Sequence, residues 1–211
     1  EGQREILGFQ VANSESEESW GRFFASLTDR GLKDVHIVTS DDHKGLVKAI
    51  RKHFQGACWQ RCQTHFSRNM LDHTPKALQM EMKDELRGLY ESVDLESARR
   101  IKDRIIEKYE SRARKATSLL DEAFDDITAV LDLPISYRKR LRTTNAMERL
   151  NEEIRRRERV IRIFPNEASV IRLMGALLME QDEKWQTGRK YFDMELYYQS
   201  QEKRAEGDVA A

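Results

Sequence analysis

From Pro75 to Leu133 the chain carries no β-rich run, and its apolar residues recur at spacings of three and four. Leu78, Met82, Leu86 and Leu89 make one stripe, and Ile101, Ile105 and Tyr109 a second. Leu119, Leu120, Phe124 and Ile127 make a third. Stripes of this kind are buried against other helices, so the span is expected to be all-helical. Pro134 breaks the last helix, because proline lacks the amide proton and clashes with the preceding turn. Whatever flanks this span must be built around a helical insertion. The 211 residues are enough for one sizeable domain that carries one. With 39% hydrophobic and 35% charged residues, the composition fits a charge-rich, helix-rich globule.

The flanks carry the β signals. Glu5 to Val11 is a short apolar-rich run bounded by polar residues, which predicts a strand. Asn13 to Ser19 is a polar turn into a helix, with Ser16 or Ser19 as the cap and Gly31 at its end. Trp20, Phe23, Phe24 and Leu27 lie on one face of that helix. Val35 to Ser40 is β-branched and apolar, a buried strand that runs into Asp41, Asp42 and His43 and then a helix from Leu46 to Phe54. This alternation is an α/β order, whose parallel strands end in polar loops where ligands bind. Ala57 to Cys62 is either a third strand or an irregular connection, and His65 to Met70 begins a helix. Further on, Arg162 to Asn166 is a turn, Ala168 to Trp185 a helix, and the polar tail from Gln199 is expected to fray. The expected divisions are 1–74, a helical insertion 75–136, a final part 137–198, and the tail 199–211.

Leu141 to Asn166 is the most chemically suggestive stretch. Thr143, Thr144 and Asn145 can cap a helix, along which Met147, Leu150 and Ile154 form an apolar face. Glu148 stands in the first turns, near the positive end of the helix dipole. Between Tyr137 and Arg162 there are ten Lys or Arg and four Asp or Glu, a local net of +6 in a chain whose overall charge is +0. A solvated charged helix satisfies this pattern. So does a surface that grips a phosphate backbone beside a lone carboxylate.

Asp41 and Glu148 are 107 positions apart. Carboxylates brought together from distant positions can hold two Mg²⁺ or Mn²⁺ ions that clamp the oxygens of a phosphodiester displacement. An aspartate after a strand also serves as a turn or cap residue. Cys58, Cys62, His65 and His73 raise a zinc question, but C-x₃-C-x₂-H is not one of the usual structural spacings. Two cysteines do not make a disulfide framework and fit a reducing compartment. The absence of a membrane-length apolar run and of a signal peptide leads to the expectation of a cytoplasmic chain.

Three blocks decide between these readings. SDDHKGLVKAI at Ser40–Ile50, CQTH at Cys62–His65 and TTNAMERLNEEIRRRERVIRIFPN at Thr143–Asn166 resemble, in order and separation, the hallmark blocks of Mutator-type transposases of bacterial insertion sequences. The resemblance runs from about Glu5 to Trp185. It implies a ribonuclease-H-like core with an acidic DDE triad, interrupted by an all-helical insertion and helix-dominated overall. It implies Asp41 as the second triad aspartate and Glu148 as the glutamate, with Asp42 on a variable position. Cys62 and His65 match the family's CxxH element, for which a structural or site-flanking role is expected. Arg155, Arg156 and Arg159 are expected to contact DNA.

The implied activity is metal-dependent cleavage and strand transfer at insertion-sequence ends. Its partners would be transposon ends and target DNA, and the active assembly a homo-oligomer. No residue here matches the family's first aspartate or its N-terminal DNA-binding region. A chain that opens on Glu1 is expected to be part of a longer protein. Alone it should bind metal weakly and lack nuclease activity, with a two-metal site only once the first aspartate is supplied. The alternative is a non-catalytic remnant that binds DNA or pairs with intact transposase.

Overall fold

The structure, a computed structural model, describes residues 2–159 and 164–209, with side chains through Glu202. In chain order the elements are α1 (Glu17–Asp29), β1 (Ile37–Ser40), α2 (Lys44–His53), β2 (Cys58–Arg61) and α3 (Gln63–Asp72). Then come α4 (Gln79–Tyr90), α5 (Leu95–Thr128), α6 (Ile135–Leu141), α7 (Asn145–Glu158), α8 (Glu167–Gln186) and α9 (Met194–Val209). Short 3₁₀ turns at Lys76–Leu78 and Ala129–Asp132 join some of these. Helix dominates, and no helix among the described residues is long and apolar enough to cross a membrane.

The chain divides into two compact units. One comprises Val35–His43 and Gly56–Thr144. Its sheet is the parallel pair β1–β2, in register Ile37↔Cys58 through Ser40↔Arg61. Parallel strands need a crossover, and α2 lies between them in sequence. The helical stripes meet as predicted: Met82, Leu86 and Leu89 pack with Ile105, Tyr109, Leu120, Phe124 and Ile127 in one buried cluster. Every element between Pro75 and Pro134 is helical. Helix α5 is capped by Asp94, which accepts from Ser97 N–H, and is interrupted at buried Ala113 (φ −144°, ψ 48°).

Gln60 ties the sheet to this helical core. Its Nε2 donates to the Ile127 carbonyl at 3.0 Å and to the Arg61 carbonyl at 2.7 Å. Its Oε1 accepts from Val130 N–H at 2.8 Å. The amide is fully buried, so these bonds are what make a polar residue tolerable there.

The other unit comprises Glu1–Asp34, Lys44–Gln55 and Asn145–Ala211. Ser16 caps α1 and forms a capping box with Ser19. Phe24 stacks obliquely on Phe54, with ring centroids 4.9 Å apart, and this anchors α1 on α2. Asn166 caps α8 by accepting from Ser169 N–H. Ser16→Ala is expected to cost about 1 kcal/mol, read as a lower urea midpoint with an unchanged slope.

Two expectations are corrected. Glu5–Val11 is not a strand. Two of its backbone groups bond to side chains instead: Ile6 N–H donates to Asp182 Oδ1 at 2.7 Å, and the Leu7 carbonyl accepts from Arg30. The sheet therefore has two strands among the described residues, and Ala57–Cys62 supplies the second. The tail expected to fray continues as α9. Arg162 and Ile163, read as part of a turn, lie outside the described residues.

Candidate functional site

Asp41 follows β1 directly, and Cys62 follows β2. Because Ser40 pairs with Arg61, the two residues leave neighbouring strand ends side by side. Cys62 N–H donates to the Ser40 carbonyl at 2.8 Å, which fixes that juxtaposition. Cys62 also immediately precedes α3, so His65 comes one helical turn later on the same side. Its Nδ1 lies 2.7 Å from Asp41 Oδ1 and 3.3 Å from Cys62 Sγ. The ligand atoms of all three residues lie within 4.8 Å of one another.

Thr144 completes the cluster. Its backbone N–H donates to Cys62 Sγ at 3.4 Å, and its hydroxyl lies 3.3 Å from the same sulfur. That hydroxyl is also 3.5 Å from Asp41 Oδ1. The residues just ahead of Thr144 are pinned too. The Thr39 hydroxyl donates to the Leu141 carbonyl, and Gln63 N–H donates to the Arg142 carbonyl at 2.9 Å. Cys62 is fully buried, whereas the side chains of His65 and Asp41 are 28% and 51% exposed.

The neighbouring aspartate has a different partner. Asp42 Oδ2 is 3.0 Å from Nη1 of buried Arg61, whose guanidinium lies 5.1 Å over the Phe66 ring. A buried arginine needs a carboxylate, and Asp42 is the one it finds. Trp59 Nε1–H donates to the buried Ser40 hydroxyl at 2.9 Å, bracing the strand end just before both aspartates.

Glu148 stands in the first turn of α7, half-buried. Arg155, Arg156 and Arg159 are exposed. Arg156 donates twice to Glu153, at 2.8 and 2.7 Å, and Arg157 Nε donates to it at 3.0 Å. The Arg156 guanidinium first, then that of Arg157, draws the Glu153 carboxyl down to about 2. Of the predicted apolar face of α7, Leu150 is buried and Met147 is exposed. Cys58 is exposed and four strand residues from Cys62, about 13 Å along the chain at the usual rise. His73 ends α3, about 16 Å along the helix from Cys62. Neither joins the cluster.

Two members escaped the sequence reading. Thr144 was legible only as a capping candidate, because its proximity to residue 62 depends on tertiary structure. Arg61 did carry a signal: an arginine ending a short buried strand demands an acidic partner.

The family model described as "Transposase, Mutator family" matches residues 1–188. The chain belongs to the Mutator family of transposases. This Mutator-family chain is 43% identical over 198 residues to the transposase for insertion sequence element IS256 in transposon Tn4001 of Staphylococcus aureus, covering 92% of this chain and 50% of that protein. It is 43% identical over 195 residues to the transposase for ISRM5 of Rhizobium meliloti, with 92% and 49% covered. With the transposase for IS1081 of Mycobacterium tuberculosis it shares 41% over 196 residues, with 93% and 47% covered. The chain thus spans about half the length of these curated relatives.

Proposed function

We propose that this chain carries the strand-cleaving and strand-transferring part of an insertion-sequence transposase, with Asp41 and Glu148 as its catalytic carboxylates. The observation that carries the reading is the Asp41 cluster. Its carboxylate is held at a strand end by His65, whose Nδ1 lies 2.7 Å away. A catalytic carboxylate needs such support, because its geometry must be fixed before substrate arrives. Asp42 is the weaker candidate, since Arg61 already engages it.

Oxygen donors from Asp41 and Glu148 suit a hard cation, Mg²⁺ or Mn²⁺, and half of the Asp41 side chain is open to receive one. When bound, such ions would supply the charge that activates the attacking oxygen and stabilises the leaving one. The protein's own tasks are then to orient and to grip. His65 fixes the rotamer of Asp41. Arg155 and Arg159 hold DNA phosphates. In this reading the two strands belong to a ribonuclease-H-like core, and 75–136 is the insertion before the final glutamate. The active assembly on transposon ends and target DNA is a homo-oligomer. No residue here matches the first aspartate, so the chain by itself is inactive.

Cleavage of a transposon end by a form that carries the first aspartate tests this reading. Activity must require both carboxylates, and cleavage without either overturns it. DNA binding is checked separately. Arg156 is engaged by Glu153, so the Arg155→Ala, Arg159→Ala double variant should account for most of the basic helix's contribution. The slope of log K against log salt is expected to fall by about 1.8, at roughly 0.9 per phosphate contact. An unchanged slope would place the DNA surface elsewhere.

A further inference from the structure

We propose that Asp41, Cys62 and His65 form a binding site for Zn²⁺, which shares Asp41 with the carboxylate site above and adds a sulfur and a nitrogen donor. The spacing C-x₃-C-x₂-H is not a usual structural zinc pattern, and in the structure Cys58 and His73 stand away from the other two residues. The fold supplies a third ligand the spacing could not show, since Asp41 comes from a different strand end. One thiolate, one imidazole and one carboxylate within 4.8 Å of each other is a donor set for a borderline metal. Mg²⁺ prefers oxygen alone and would not recruit the sulfur.

The distances are close to what zinc needs. Bonds of about 2.3 Å to sulfur and 2.0–2.2 Å to nitrogen and oxygen put tetrahedral ligand atoms roughly 3.4 Å apart. Nδ1 and Sγ are 3.3 Å apart already. Nδ1 and Oδ1 are 2.7 Å apart and must open by roughly 0.7 Å. That movement falls on the two side chains with solvent exposure, while buried Cys62 stays in place.

An independent observation concerns the sulfur. Cys62 Sγ is met by two donors from Thr144, its backbone N–H and its hydroxyl. A buried thiol acting only as a small apolar filler needs neither. A metal-bound thiolate uses such outer-shell donors to spread its charge. Binding releases the thiol proton, and the Nδ1 position passes from hydrogen to metal while neutral imidazole keeps its proton on Nε2. A tetrahedral ion would take its fourth ligand from water or another donor. The site lies within one compact unit and does not depend on the cleavage reading.

Cobalt titration of the reduced, whole chain tests it. One equivalent of Co²⁺ should give a thiolate-to-cobalt charge-transfer band together with tetrahedral visible absorption. One equivalent of Zn²⁺ should bleach both, and excess Mg²⁺ should leave them. Cys62→Ser should abolish the charge-transfer band, and Cys58→Ser should leave it intact. Because Cys62 is buried and its variant can misfold, Asp41→Asn and His65→Gln provide a second arm. Each should weaken Zn²⁺ binding at least tenfold with unchanged far-ultraviolet circular dichroism. The proposal is overturned by a wild-type chain without the band, by a band that follows Cys58, or by unchanged zinc affinity in both partly exposed variants. Loss of DNA cleavage plays no part in these readouts, so the two proposals fail separately.

Discussion

Asp41→Asn is expected to lower strand cleavage at least about a thousandfold in a form of the protein that carries the first aspartate, and Glu148→Gln by a comparable factor. Charge stabilisation at the reacting phosphate is worth several kcal/mol, and each 1.36 kcal/mol is tenfold in rate. DNA affinity should survive in both variants, because the proposed function assigns the grip on DNA phosphates to the exposed arginines of α7 and not to these carboxylates. Asp42→Asn should behave differently. It leaves buried Arg61 without its carboxylate, so its cost should appear in unfolding more than in chemistry. A cleavage assay with filter binding, paired with urea unfolding of each variant, separates these outcomes. If Asp42→Asn alone were inactive, the roles of the two neighbours would be exchanged.

Gln60→Ala is expected to destabilise the sheet-bearing unit by about 3 kcal/mol. Its amide is fully buried and bonded to the Ile127 and Arg61 carbonyls and to Val130 N–H. The Ile127 carbonyl keeps a donor, because Gln63 Nε2 also reaches it, at 2.8 Å. Val130 N–H loses its acceptor, and an orphaned buried donor costs about 1–3 kcal/mol before the cavity is added. Met80→Ala is the control, since Met80 is 80% exposed and should change stability by less than about 0.5 kcal/mol. Equal urea midpoints for the two variants would show that the Gln60 tether carries no weight.

The helical part of the fold was legible because its pattern is redundant. Three stripes at helical spacing predicted the buried cluster around Leu86, Tyr109 and Phe124, and Val35–Ser40 was β-branched enough to mark β1. Glu5–Val11 misled because a short apolar-rich run does not say where a backbone finds its hydrogen bonds. Here Asp182 and Arg30, far along the chain or on another element, took them. The candidate site was legible as separate pieces. Asp41, Cys62 and His65 were each marked by their blocks, but their meeting depends on β1 and β2 lying parallel and in register, which single-sequence periodicity cannot give. Thr144 was missed because its partners are tertiary, whereas Arg61, ending a buried strand, did signal its need for an acidic partner.

The central claim is that Asp41 and Glu148 serve one metal site. Mn²⁺ binding followed by electron paramagnetic resonance, in a form carrying the first aspartate, tests it most directly. Free Mn²⁺ gives a strong six-line signal that weakens when the ion is bound. Asp41→Asn and Glu148→Gln should each restore the free-ion signal to a similar extent, and Asp42→Asn should leave it close to wild type. Restoration by Asp41→Asn with no change in Glu148→Gln would contradict the claim, because the two carboxylates would then not share an ion.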